Sequence, residues 1–141
     1  MIEPDDVARL YLCLGRIHRA LRRQGAASPV GHGALSLLAT LTAAGPQRLG
    51  ALAVAEGVSP PSMTRLVASL EKLGHIRRTP DPDDGRAALV EATPSGRRLV
   101  LAGRATRMEA LGRLMDKLPD AERELLREAL PVLEHLAEPA D

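Results

Sequence analysis

Aromatic residues are almost absent from this chain of 141 residues: they make up 1% of it, and Tyr11 is the only one. Any core must therefore be built from Leu, Val, Ile, Met and Ala. Long unbranched and γ-branched side chains favour helices, whereas β-branched and aromatic side chains favour strands. The composition thus predicts a mostly helical fold, and the length suits one domain with or without a dimerisation extension.

Cysteine and long apolar runs are also scarce. The single cysteine, Cys13, excludes an intrachain disulfide and a cysteine zinc site, and it suits a reducing compartment. No run approaches the ~18 apolar residues of a membrane span, and the acidic N-terminus opposes a signal peptide. We therefore expect a cytoplasmic protein without membrane contact.

Sequence motifs typical of metal sites and of enzyme active sites are missing too. The four histidines occur without HxxxH or HxH spacing, so we expect neither a metal nor another cofactor. There is no Ser-His-Asp set, glycine-rich phosphate loop or paired-carboxylate motif, which argues against an enzyme. Net charge is only +1, so any binding of a polyanion must depend on where the positive charges lie.

Helical periodicity and turn signals divide the chain into six predicted helices. An apolar stripe from Val7 to Leu21 predicts a first helix ending at Gly25, and Ser28-Pro29 predicts the start of a second. A short third helix, about residues 48–56, precedes a fourth that begins at the N-cap Ser59 and ends at Gly74. A fifth starts at the N-cap Thr93, and the last follows the break at residues 118–120.

Between the fourth and fifth helices lies a charged hairpin. Strands are predicted at residues 76–79 and 87–92, around the turn PDPDDGR (residues 80–86). A tight turn between two helices, then a hairpin with Arg86 at its tip, is the layout of a winged helix-turn-helix. The predicted fold is therefore mostly α (α+β), with about six helices and a wing of two or three strands, and DNA is the leading partner.

The outer helices exceed what a small DNA-reading module needs. Each carries an apolar stripe with little domain to cover, so a second copy of the chain is the expected partner. We predict a single domain in which residues 1–28 and 97–141 form dimerisation helices and residues 29–96 form the winged helix-turn-helix.

Two segments carry a resemblance to a known family. VSPPSMTRLVASLEKLGHIRR (residues 58–78) and PDPDDGRAALVEATPSG (residues 80–96) resemble the MarR family of bacterial winged-helix regulators. The second segment is similar to the family's wing signature, Asp-x-Arg, a hydrophobic strand and Thr-x-x-Gly. The resemblance implies a triangular α+β homodimer that binds palindromic operators, most often as a repressor, and is often relieved by small ligands or by oxidation.

The DNA contacts follow from the exposed side of the fourth helix and from the wing. Arg65 is expected to clamp guanine or a phosphate, and Arg86 to enter the minor groove with Asp84 bracing its guanidinium. Two alternatives are that Ser59 is merely a cap and that Asp84 and Arg86 form a self-contained pair stabilising the turn. The predicted set is Arg48, Ser59, Pro61, Ser62, Thr64, Arg65, Ser69, Arg77, Arg78, Asp84 and Arg86.

A small-molecule effector is less well defined by the sequence. The candidate lining is Leu14, His18, Leu38, Leu41, Met108 and Leu111, all of which serve equally well as core residues. Some relatives sense peroxides with a cysteine on the first helix, but Cys13 lacks the tyrosine supports of such sensors, so we expect it to be packed and unreactive. The alternative function for the chain is a winged-helix module that binds another protein and not DNA.

Overall fold

The computed structural model describes residues 1–24 and 28–138, so the predicted end of the first helix at Gly25 lies outside the described residues. The chain divides into two compact units, Met1–Arg107 and Met108–Asp141. The elements are α1 (Pro4–Gln24), α2 (His32–Ala44), β1 (Gln47–Arg48), α3 (Leu49–Glu56), α4 (Pro60–Lys72), β2 (Ile76–Pro80), β3 (Ala88–Ala92), α5 (Pro94–Asp116) and α6 (Asp120–Ala137). The predicted mostly helical winged fold is confirmed.

The core of the first unit is entirely aliphatic, as the composition predicts. It joins α2, α3 and α4 to the inner face of the sheet, and its most deeply buried side chains are Leu37, Leu38, Leu52, Met63, Val67, Leu70, Ile76 and Val90. Each full burial of such a side chain contributes roughly 1.5–3 kcal/mol relative to exposure. Helix α4 places Met63, Val67 and Leu70 in this core at helical spacing, which leaves its opposite face exposed.

The second helix begins later than predicted. Its first residue is His32 and its N-cap is Gly31, whereas the Ser28-Pro29 pair was expected to begin it. Instead, the Val30 backbone N–H donates to Ser28 Oγ at 3.4 Å, which makes a local turn before the helix. Ser-Pro is a turn signal as well as a helix-start signal, and here the turn prevails.

The wing is a three-stranded antiparallel sheet in the order β1-β3-β2. Strands β2 and β3 pair from Ile76–Ala92 to Pro80–Ala88, as the two predicted strands require. The third strand, β1, pairs Gln47 with Val90 and Arg48 with Leu89. It is two residues long, too short for a periodicity signal, and it connects the hairpin to the residue before α3.

Hydrogen bonds connect the residues after α4 to the start of α5, in a contact that we call the α4–α5 joint. Thr93 caps α5 by accepting the Gly96 backbone N–H at 3.2 Å, while its own hydroxyl donates to the Gly74 carbonyl at 2.6 Å. His75 Nδ1 lies 2.8 Å from Ser95 Oγ. A Cβ added at Gly96 would lie 2.2 Å from the His75 carbonyl oxygen, so the closeness of this joint requires glycine there.

Gly96→Ala should therefore lower the free energy of unfolding by at least about 1–3 kcal/mol, because the methyl group meets backbone oxygen that cannot move aside. Gly50→Ala is the matched control: a Cβ at this exposed position of α3 meets nothing within 4 Å, and the change should stabilise by about 0.5–1 kcal/mol. Urea denaturation measures both. Equal effects of the two substitutions would contradict the close joint.

Candidate nucleic-acid interface

The helix-turn-helix consists of α3 and α4. Helix α3 ends at Glu56, and its C-cap Gly57 has a left-handed backbone (φ 63°, ψ 34°) that turns the chain toward Ser59. Ser59 is the N-cap of α4 as predicted: its Oγ accepts the Ser62 backbone N–H at 3.3 Å. Glu56 fixes α3 on α2 by accepting the hydroxyls of Ser36 (2.7 Å) and Thr40 (2.5 Å), a pairing across the fold that no local pattern signals.

The exposed face of α4 carries the predicted recognition residues. Pro61, Thr64, Arg65 and Ser69 are exposed, and Ser62 is half-buried. Several of their hydroxyls already have partners: Thr64 Oγ donates to the Pro60 carbonyl at 2.9 Å, and Ser59 Oγ donates to Ser62 Oγ at 2.9 Å. Ser62 Oγ also accepts from Arg65 Nη2 at 3.3 Å, so the guanidinium is held above the first turn of the helix.

The predicted arginines fall into two groups. Three are paired with acids of this chain: Arg48 with Asp81 at 2.5 Å, Arg77 with Glu91 at 2.5 Å, and Arg78 with Glu71 at 3.2 Å. Over residues 1–24 and 28–138, neither Arg65 nor Arg86 forms such an ion pair. The Arg78–Glu71 pair connects β2 to α4, and therefore connects the wing to the recognition helix.

The tip of the wing is organised differently from the sequence expectation. Asp84 was expected to brace the Arg86 guanidinium, but its Oδ1 accepts the Arg86 backbone N–H at 3.0 Å. The Ala87 backbone N–H donates to the Asp84 carbonyl at 3.0 Å, which closes the turn. This arrangement is an Asx turn, in which an aspartate carboxylate accepts the backbone N–H of the residue two positions later. The short aspartate side chain reaches that N–H more readily than it reaches the guanidinium at the end of the arginine side chain. Asp84 thus shapes the turn that presents Arg86.

Asp81 lies at the start of the wing turn (residues 80–86), and the sequence pattern assigned it no role beyond that turn. It is 5% exposed and is the one buried charged or polar residue among those described. The Asp83 backbone N–H donates to Oδ1 at 2.9 Å, and Arg48 Nε donates to Oδ2 at 2.7 Å. The Asp83 amide, followed by the Arg48 guanidinium, holds the pKa of Asp81 below its usual range, so it is ionised at neutral pH.

The six predicted effector-pocket residues are distributed over both units. Leu38 and Leu41 belong to the buried core of the first unit, Leu14 and His18 are exposed on α1, and Met108 and Leu111 fall in the second unit. A cleft in the first unit is lined by Arg22, Arg23 and residues 28–32. Partial desolvation, followed by the charge of Arg22, lowers the pKa of the mostly exposed His32 there. Release of DNA by a small ligand stays a prediction of the family resemblance.

Cys13 departs from its expected environment, because α1 leaves its side chain exposed and buries none of its residues in this chain.

The described residues contain no group of three or more His, Cys, Asp or Glu side chains arranged to hold a metal ion. None of the described helices combines the length and apolar character that crossing a membrane requires.

A helix-turn-helix followed by a β-hairpin with an arginine at its tip defines a winged helix-turn-helix protein. The model of the MarR family matches residues 32–88. An HTH-type transcriptional regulator of Mycobacterium tuberculosis is 44% identical over 124 residues, which are 88% of this chain and 87% of that relative. The chain belongs to the MarR family, and it is a transcriptional regulator with a helix-turn-helix fold.

Solved structures agree with this assignment. A putative transcriptional regulator of Pseudomonas aeruginosa is 32% identical with a TM-score of 0.80, and the match covers 99% of this chain and 100% of that one. A mutant of Staphylococcus aureus MepR, solved bound to an oligodeoxyribonucleotide, has a TM-score of 0.70 at 19% identity, covering 98% of this chain and 100% of that one. The latter likeness shows the shared fold.

Proposed function

We propose that the protein binds a palindromic DNA operator as a homodimer, with α4 in the major groove and Arg86 in the minor groove, and that it represses transcription there. The observation that carries this proposal is the pairing pattern of the arginines. Among the described side chains, Arg65 on α4 and Arg86 on the wing form no ion pair with an acid, while Arg48, Arg77 and Arg78 do. Unpaired guanidinium groups are the ones available to bases and phosphates.

The presentation of the two arginines supports the same proposal. Arg65 is held above the N-terminal turn of α4, which is the part of a recognition helix that meets base edges. Arg86 lies within the turn that Asp84 closes, at the narrow end of the hairpin. A cation at the tip of a narrow projection suits the minor groove, where the negative potential is strongest over narrow A·T-rich steps. The oligonucleotide bound by MepR shows that this fold accommodates a nucleic-acid partner in that protein.

One experiment distinguishes the proposed DNA binding from the alternative, a winged-helix module that binds only protein. Binding to the promoter upstream of the protein's own gene is measured by gel shift over a series of salt concentrations. Counterion release predicts that the logarithm of the binding constant falls linearly with the logarithm of salt concentration. Absence of duplex binding at low ionic strength would favour the protein-interaction module.

The dimer proposal rests on exposed apolar side chains in each unit. Helix α1 of the first unit exposes Val7, Leu10, Tyr11 and Ile17, and buries no residue. Helix α6 of the second unit likewise buries none and exposes Leu125, Leu130, Val132 and Leu136. Exposed apolar stripes of this extent are typical of interaction surfaces rather than of a free monomer. A second copy of the chain carries the same stripes and therefore supplies the matching surface.

Leu125→Asp should convert the dimer to a monomer, since a carboxylate buried without a partner costs roughly 3–5 kcal/mol. The mass in solution is measured by sedimentation velocity. Val54→Asp is the matched control, because Val54 is even more exposed (83% against 65%) but lies on α3, and it should leave the dimer intact. A monomeric wild type, or a Leu125→Asp variant that stays dimeric, would refute the proposed interface.

Arg86→Ala should weaken operator binding by roughly tenfold to hundredfold while leaving thermal stability and the dimer unchanged. Arg77→Ala removes the same charge from the same hairpin, but its guanidinium is paired with Glu91 at 2.5 Å, so the loss should be much smaller. Fluorescence anisotropy with a labelled operator measures both variants. A comparable loss for the two arginines would mean that the wing acts only as a diffuse positive charge.

Arg65→Ala should cost roughly 1–3 kcal/mol of operator affinity and relax the sequence preference at one position of each half-site. Selection of binding sites from a randomised duplex pool, carried out with wild type and variant, measures the preference. Should the preference stay sharp while affinity falls equally on all sequences, Arg65 contacts a phosphate and another residue reads the bases.

A further inference from the structure

Asp81 lies where the wing meets the body of the first unit. It directly follows β2, and its carboxylate is 4% exposed although the neighbouring turn residues 82–86 are exposed. Arg48, 33 positions earlier in the chain, contributes Nε at 2.7 Å and a second nitrogen at 2.5 Å to the same oxygen, Oδ2. The Asp81 backbone N–H donates to the Ala87 carbonyl at 3.1 Å. Asp81 therefore joins the two ends of the wing turn to each other and to the residue that precedes α3.

Burial makes this contact obligatory. A carboxylate removed from water is stable only while charged and hydrogen-bonding partners compensate for its lost hydration. Here the Arg48 guanidinium and the Asp83 backbone N–H provide that compensation. If Arg48 turned toward a DNA phosphate, the buried Asp81 would lose its cationic partner. The geometry thus disfavours the DNA contact that the sequence suggested for Arg48.

We propose that Asp81 is a positioning residue for DNA binding: with Arg48, it fixes the wing on the helix-turn-helix so that Arg86 reaches the minor groove. This inference rests on the proposed function and assigns Asp81 and Arg48 no contact with DNA. An isolated two-stranded hairpin is only marginally stable in water, and a projection that moves loses entropy when it docks. Because Asp81 and Arg48 hold the hairpin at its base, part of that entropy is already lost in the free protein, and docking on the duplex costs less.

The sign of one mutational effect separates this role from simple electrostatics. Removing a negative charge from a surface that meets a polyanion raises the affinity for DNA, because one repulsive term disappears. Removing the carboxylate that positions the wing lowers the affinity. The two explanations therefore predict opposite outcomes for the same neutral substitution at Asp81.

The test compares Asp81→Asn with Asp83→Asn, each in the full-length protein with the operator duplex. Both remove one negative charge from the same turn, but the Asp83 side chain is exposed. We expect Asp81→Asn to weaken binding about tenfold or more and Asp83→Asn to leave it unchanged or tighten it. The two substitutions are then repeated in an Arg86→Ala background, where Asp81→Asn should have little further effect because the arginine it positions is gone.

A second variant addresses Arg48 and guards against misfolding of Asp81→Asn. Arg48→Lys keeps the positive charge but loses the two-nitrogen contact to Oδ2. Positioning predicts weaker operator binding for Arg48→Lys, whereas a phosphate contact predicts nearly unchanged binding with the same salt dependence. Circular dichroism and the dimer mass serve as folding controls for each variant.

The outcomes are distinguishable from failure of the proposed function. If the wild type and Asp83→Asn bind no duplex, the proposed DNA binding itself is wrong. If they bind, but Asp81→Asn binds as tightly or more tightly and Arg48→Lys is unchanged, only the positioning role is overturned. A loss from Asp81→Asn that is equally large without Arg86 would also overturn it, because Asp81 would then act independently of the wing arginine.

Discussion

Asp81 lies buried between the wing and the residue preceding α3, and an ionised carboxylate there persists only while Arg48 and the Asp83 amide occupy its oxygens. Arg48 is itself fixed, because it pairs with Leu89 in the sheet and is followed by Leu49, which packs against the core. The hairpin thereby gains rigidity from the aliphatic core instead of relying on two strands alone. The third strand and the Arg48–Asp81 ion pair act together, because Arg48 belongs to both: its backbone pairs with Leu89 and its side chain holds Asp81.

Helix α4 is constrained from the opposite direction. Its buried side chains Met63, Val67 and Leu70 fix its rotation about its own axis, and that rotation decides which residues face outward. The Arg78–Glu71 pair adds a contact between this helix and β2 at 3.2 Å. An exposed pair of this kind contributes only about 0–1 kcal/mol, so it supplements the packing of the two elements and does not by itself set the distance between them.

Local signals in the sequence predicted most of the elements correctly. The caps Ser59 and Thr93 each act within three residues, and the stripe on α4 repeats every three or four residues, so short windows contain the information. The start of α2 was wrong because Ser28-Pro29 also encodes a turn. The pairings of Glu56 with Ser36 and of Arg48 with Asp81 span 20 and 33 positions. Such contacts arise only when the helices pack, which explains why the sequence could name the arginines but not their partners.

The pairing of three arginines with acids bears on how a protein of net charge +1 could select an operator. Non-specific affinity for DNA comes mainly from cations that replace counterions along the phosphate backbone, irrespective of sequence. An arginine neutralised within the chain adds little to that term, whereas one aimed at a groove adds to the specific term. Fewer free cations therefore lower the affinity for competing sites without lowering the contribution that is proposed for Arg65 and Arg86. In this arrangement, the specificity for an operator would depend on where the unpaired arginines are held. The acids at the base of the wing would contribute to specificity by pairing with the other arginines, although they repel the duplex.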